Sequence, residues 1–316
     1  MAEIHKRIFE HGRDKARQLA LAEGADATTL KSIDLAARML AEETESIGIS
    51  YSGFCLTALP HKRLPDDQVW EREGRNVRLH IEPGRLFHQG SDKLVGVPYG
   101  SRARLILLYL QTEAIRNNSR EVELGRSMRQ WLERMDVPVG GKSYKDVQEQ
   151  ASRISACRLH FTWTSDDGRR KAWDEDKFVK SGFALAADDG LQGTLWEERV
   201  VLGETFFAEL KKHPVPVSET AIRLISNQSL TIDVYVWLAY RLHTLLKPTP
   251  ITWAALMGQF GAGYGQLKHF KPRFLDALRQ AEAVYPEARM EVTEKGIMLH
   301  PSRPPIAKRG PVLVSG

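Results

Sequence analysis

Gly140-Gly141-Lys142-Ser143 is the stretch of this chain whose residue types suit phosphate chemistry. A nucleotide-binding loop needs G-x-x-x-x-G-K-[ST] after a buried strand, because the strand aims the loop N–H groups at the phosphates. Here the place of the first glycine is taken by Asp136. The preceding Met128, Trp131, Leu132 and Met135 are spaced i, i+3, i+4, i+7, which predicts a helix. Helix, glycine turn, helix fits a helix-turn-helix connection, with Ser143 as N-cap of the second helix. A second constellation is His80-x-Glu82. Two such residues share a strand face and begin the pattern of an iron facial triad. His160 and His300 are candidate third ligands, and nothing in the sequence selects either; a mixed polar strand face is the plainer reading. No His-hydrophobic-His pair beside a tyrosine and no G-x-S-x-G is present, so no catalytic residue, metal ligand or cofactor site is assigned.

The elements that must position these residues belong to a globular chain. Its 316 residues leave room for two domains and a further segment. No apolar run approaches the roughly 18 residues that argue for a membrane span. The N-terminal MAEIHKRIFEHGRDKARQLALAEG has no signal-peptide core and reads as a solvated helix or flexible arm, with a basic amphipathic helix as the alternative. Cys55 and Cys157, without a C-x-x-C partner, read as free thiols in a reducing, cytoplasmic compartment. A net charge of +5 permits an acidic polymer as partner without demanding one.

One order of elements occurs twice. From residue 98, Leu105, Leu108, Tyr109, Thr112 and Ile115 predict a helix with Arg102, Arg104 and Arg116 off its apolar face. A short strand at 120–125 follows, then a helix capped by Ser127, the glycine turn, and a helix striped by Tyr144, Val147, Ala151 and Ile154. RLHFTWTS alternates as a half-buried strand, the charged loop 166–177 follows, and FVKSGFALA at 178–186 is the expected returning strand. From residue 229 the order repeats: a helix to Leu246, stopped by Lys247-Pro248, a minimal strand at Ile251, a helix capped by Thr252, a glycine turn, a helix carrying Phe270, Phe274, Ala277, Leu278, Ala281 and Val284, and a hairpin around Lys295-Gly296. Pro272 is tolerable if that last helix starts near 270 and holds the proline in its first turn. Trp163, Trp237 and Trp253 fall on apolar faces and read as core.

The expectation is an α+β chain of two tandem winged helix-turn-helix domains after a mixed N-terminal segment: residues 1–97 of open role, 98–213 the first domain, 214–303 the second, and 304–316 a flexible tail. The outward faces of the two second helices carry the residue types that read base edges or hold phosphates. In the second domain these are Gln266, Lys268, His269, Lys271, Arg273 and Arg279, with Lys295 in the wing. In the first they are Lys142, Ser143, Lys145, Gln148, Ser152 and Arg153, with Arg169, Arg170 and Lys171 in the 166–177 loop. Asp146, Glu149 and Asp276, and Asp166, Asp167, Asp174, Glu175 and Asp176 in that loop, oppose DNA, so the second copy is the better reader and the first serves dimerisation or accessory contact. An ordinary solvated face is the alternative for each helix.

YGSRARLILLYLQTEAIRNNSREVELGRSMRQWL, GGKSYKDVQEQASRISACRLHF, HPVPVSETAIRL, IDVYVWLAYRLH, ITWAALMGQFGAGY and AVYP, in this order over about residues 95–303, resemble the plasmid-encoded RepA family of bacterial replication initiators. The resemblance implies binding to repeated double-stranded sites at a plasmid origin, melting of an adjacent AT-rich region, and recruitment of a host initiator and replicative helicase. It also implies two winged-helix domains, a homodimeric form that represses its own gene, and no catalytic residues. A winged-helix repressor without initiator activity, and an origin-acting ATPase or nickase, are the rival functions.

Overall fold

The computed structural model describes residues 3–42, 46–88, 91–137, 141–164, 170–172, 178–181 and 199–306. The N-terminal third contributes helices α1 (Glu3–Ala22) and α2 (Ala27–Leu40), strand β1 (Ile47–Tyr51), the short helix α3 (Ser52–Leu56), and strands β2 (Trp70–Glu73), β3 (Val77–Glu82), β4 (Gly84–His88) and β5 (Ser91–Val95). The middle holds α4 (Gly100–Arg116), β6 (Glu121–Glu123), α5 (Gly125–Arg134), α6 (Gly141–Ala156), β7 (Arg158–Thr164), β8 (Arg170–Ala172), β9 (Val179–Ser181), β10 (Arg199–Leu202) and α7 (Glu204–Lys212). The last part holds β11 (Pro214–Ser218), α8 (Glu219–Leu224), α9 (Ser229–Leu242), β12 (Thr249–Thr252), α10 (Trp253–Phe260), α11 (Leu267–Ala283), β13 (Met290–Thr293) and β14 (Gly296–Leu299). The result is a mixed α+β fold whose small sheets are all antiparallel among the described residues.

Two helices carry the core. α9 is apolar nearly all round and buried on every face, from Ile232 through Val234, Tyr235, Val236, Trp237 and Leu238 to Leu242, as a central helix must be. α4 is its counterpart, buried from Ala103 to Thr112. Arg104, expected off the apolar face of α4, is instead 5% exposed and reaches Asp233 of α9 through Nε–Oδ1 and Nη2–Oδ2 contacts of 2.6 Å each. The same guanidinium donates to the carbonyls of Leu59 (2.7 Å), Pro60 (3.2 Å) and Gly100 (2.8 Å). A buried charge is tolerated when its donors are met in this way.

The N-terminal third is packed into this core. β1 pairs with β11, and its backbone N–H groups at Ile49 and Tyr51 donate to Thr112 Oγ1 and Gln111 Oε1 of α4. The leading helix, expected as a solvated helix or arm, is docked. α1 kinks at Gly12, whose φ of 74° is left-handed and suits glycine. It buries Ile8, Ala16 and Ala20, and His5 hydrogen-bonds the carbonyl of Ala283 at the end of α11.

The two three-stranded sheets share one order. β12–β14–β13 and β6–β10–β9 each place the last strand of the set in the middle. Among the described residues, the hairpin expected between 158–164 and 178–186 does not form. β7 pairs with β3 over Val77–Glu82 and with β8, in the sheet β2–β3–β7–β8, while β9 joins β10. The reason is β3, whose Val77, Leu79 and Ile81 offer an apolar face in register with Trp163, Phe161 and Leu159; neither β3 as a partner nor β10 as a strand was anticipated. Helix starts also differ. α5 begins at Gly125 and α6 at Gly141, so Ser127 and Ser143 lie inside first turns and are not N-caps. α11 begins at Leu267, which puts Pro272 in its second turn, where it withholds an N–H from the Lys268 carbonyl.

Candidate nucleic-acid interface

Thr252 ends β12 and caps α10, its hydroxyl accepting from the Ala255 N–H at 3.2 Å. The cap fixes the next residue, Trp253, under both the second helix and the hairpin. Its indole is 5% exposed, its ring meets Phe274 edge-on at 6.3 Å, and its Nε1 donates to the Glu294 carbonyl at 2.9 Å. Its backbone N–H donates to the Lys295 carbonyl at 3.1 Å. Gly296 is required at this crossing, since a Cβ there would meet the Ile251 carbonyl at 1.9 Å. Lys295 is thereby held at the exposed tip of the β13–β14 hairpin.

α11 packs Phe270, Phe274, Ala277, Leu278 and Ala281 inward, as its apolar stripe predicts. Gln266, Lys268, His269 and Arg273 are exposed, and Lys271 is half-buried with Nζ 4.6 Å from the Trp253 ring centroid. Lys295 shares the Trp253 anchor, so the start of α11 and the hairpin tip form one basic edge. Arg279 does not belong to it. Its guanidinium reaches Asp26, the N-cap of α2, at 3.2 Å, and Asp276 at 3.8 Å. Arg279, although exposed, thus faces the start of α2 and lies away from that edge. The free face is thus the N-terminal half, the end that helix-turn-helix proteins present to bases.

The first copy is less open. Lys145 is exposed on α6, and Ser143, Gln148 and Ser152 are half-buried. Arg153 is 3% exposed: it pairs with Asp66 and Glu149 at 2.9 Å each, donates to the Val97 carbonyl at 3.3 Å, and lies over Tyr99. It is a packing residue, and its assignment to a DNA face is corrected; in the sequence it is five residues from the polar Gln148 and showed no sign of the carboxylate that Asp66 brings from 87 positions away. Arg170 and Lys171 lie in β8, opposite Thr164 and Trp163, in the sheet shared with β2 and β3 and not in a hairpin with β9. Arg169, the side chain of Lys142 and the acidic residues of 166–177 lie outside the described residues.

The His80 pattern has become a surface ion cluster. His80 sits between Glu71 (Nδ1–Oε1 2.8 Å) and Glu82 (Nε2–Oε1 3.3 Å), opposite His160 in the strand register. His300 is elsewhere, against Glu291 at 3.2 Å. Among the described residues, no group of three or more His, Cys, Asp or Glu side chains is disposed to hold a metal, and no helix is long and apolar enough to cross a membrane.

The family model for the plasmid-encoded RepA protein matches residues 97–254, from the approach to α4 into the first turn of α10. Among solved structures, selenomethionine-derivative domains 2 and 3 of RctB align with a TM-score of 0.52 at 13% identity, covering 82% of this chain and 99% of that one. A second structure, of RctB residues 155–483, aligns with a TM-score of 0.44 at 14% identity, over 78% and 93% of the two chains. At such identities the first likeness is one of fold. No curated protein matches the chain significantly.

Proposed function

The chain belongs to the plasmid-encoded RepA protein family, and on that premise we propose that it initiates replication by binding repeated double-stranded sites at a plasmid origin, without a catalytic step of its own. The observation that carries this reading is the basic edge formed by the start of α11 and the tip of the β13–β14 hairpin, both anchored on Trp253. Gln266, Lys268, His269 and Arg273 project as a helix in the major groove requires, and Lys295 stands where a wing meets the adjacent backbone. Two tandem winged-helix domains, 98–213 and 214–303 after the 1–97 segment, are supported by the shared strand order of the two sheets and by the fold likeness to a two-domain segment of RctB. In the first domain Lys145, Gln148 and Ser152 supply accessory contacts. The same reading includes opening of AT-rich DNA, recruitment of a host initiator and replicative helicase, and repression of its own gene by a homodimer.

The test is a footprint of the purified protein on the DNA flanking its gene, at about 150 mM salt, where sequence-independent binding is weak. Protection repeating near whole helical turns, lost in a Lys268→Ala/Arg273→Ala variant, is expected. A single symmetric patch over the promoter, in a protein that fails to support plasmid replication, would leave a repressor in its place.

A further inference from the structure

We propose that Arg75 and Arg241 form a clasp for the DNA backbone phosphate beside the turn that leads into α11, so that the N-terminal third takes part in DNA binding. The inference rests on the DNA-binding reading above. It starts from the charges of the β2–β3 hairpin. The three acids of that hairpin are committed, Glu73 to Arg78 at 3.4 Å and Glu71 and Glu82 to His80 at 2.8 and 3.3 Å. Arg75 is exposed at the turn and has neither a carboxylate nor a side-chain hydrogen-bond partner among the described residues. Arg241, half-buried in the last turn of α9, has none either. Burial and the neighbouring Arg75 charge together hold the Arg241 guanidinium below its usual range. The one acid of α9, Asp233, is already bound twice by Arg104. Two like charges placed together without an anion repel, and an incoming anion relieves that repulsion.

Three contacts bring the elements that carry this pair, the β2–β3 hairpin and α9, against the end of α10. Arg72, in β2, donates Nε–H to the Gln259 carbonyl at 3.1 Å, and Gln259 donates back to the Leu56 carbonyl at 3.1 Å. Trp237 of α9 stacks edge-on against Phe260 at 5.4 Å, and Arg241 lies one turn further along that helix face. The hairpin turn itself is seated on α3, since a Cβ at Gly74 would meet the Leu56 carbonyl at 2.4 Å. The chain leaves α10 at this corner and enters the exposed start of α11 at Gln266. Phosphates flanking a groove occupied by that helix end pass the same corner, and two guanidiniums suit a phosphodiester.

Backbone contacts are independent of sequence, so the probe is a random-sequence 30-base-pair duplex titrated across salt concentrations. Arg75→Ala/Arg241→Ala is expected to flatten the dependence of log K on log salt by about 0.9 for each phosphate lost. Arg75→Lys/Arg241→Lys keeps most of the slope, and Arg78→Ala, whose partner is Glu73, keeps all of it. Thermal melting of the double alanine variant should not fall below the parent's, since the removed charges repel. An unchanged slope in that variant, while Lys268→Ala/Arg273→Ala weakens binding, overturns the clasp alone. No effect from either pair overturns the α11 reading and the clasp with it, and binding of an acidic protein lost in place of DNA binding would overturn the choice of partner.

Discussion

Lys271 lies over Trp253, Nζ to ring centroid 4.6 Å, and the same indole donates its Nε1–H to Glu294 in the hairpin turn. One buried ring therefore links the start of α11 to the β13–β14 hairpin. Replacing Trp253 with Ala removes a core side chain, the platform under Lys271 and the tether of the hairpin, at an expected cost of about 3–5 kcal/mol by urea unfolding. Trp253→Phe retains the ring face but strands the Glu294 carbonyl. It is expected to keep most of the stability while weakening DNA binding, because the hairpin tip loses its position. A phenylalanine variant that binds as the parent does would show that the tether has no part in recognition.

Arg153→Ala separates a packing role from a reading role. The guanidinium is buried against Asp66, Glu149 and the Val97 carbonyl, so its loss should cost about 2–3 kcal/mol. Both carboxylates are about a third exposed and rehydrate, which keeps the figure below that of a fully buried pair. DNA affinity of the folded fraction and its salt slope should not move. A shallower salt slope without loss of stability would return Arg153 to the DNA face.

The Arg104–Asp233 pair ties α4 to α9 with both partners under 10% exposed. Asp233→Ala leaves an unpaired guanidinium in the core and is expected to cost about 3–5 kcal/mol. Arg104→Met/Asp233→Leu should recover a good part of that loss, since an apolar pair needs no desolvation. Chemical denaturation of the two single variants and the double variant measures the coupling; simple additivity of the single losses would mean the two side chains do not act as a unit.

Glu282 gives a pH signature. Burial pushes its carboxyl from 4.5 up to about 7. The folded chain then keeps a proton that the unfolded chain releases between those values, so this group lowers stability as pH rises through the window, by about 3 kcal/mol at most. His5 and His61 act in the opposite sense. Burial, aided at His61 by the Arg104 charge, holds both below 6.5, His61 at about 3, and the stability they contribute is lost as pH falls below 6.5. Glu282→Gln isolates the first effect. The variant should gain on the parent as pH rises from about 4.5 to 7 and hold that gain above it; a constant difference would show that the carboxyl ionises normally.

The local reading served where a segment's own pattern decides its form. The stripes Val147-Ala151-Ile154 and Phe270-Phe274-Ala277-Leu278 became buried helix faces, and Lys295-Gly296 became a hairpin turn. It failed where the partner came from far along the chain. Nothing in RLHFTWTS says that it pairs with Val77–Glu82 and not with 178–186, because alternation gives a strand two faces but does not choose its neighbour. Arg104 and Arg153 read as surface cations in the sequence because long side chains carry no sign of the carboxylates that Asp233 and Asp66 bring from elsewhere.

The family strings and the apolar faces of α6, α9 and α11 were settled by the chain itself, since helical periods depend on residues a few positions apart. Which of the cations on those elements keep an open side chain was decided only when α2 and the segment holding Asp66 packed against them. A charge is available or spent according to what the fold brings within a few ångströms of it, and those distances are set by contacts between segments that the sequence keeps far apart.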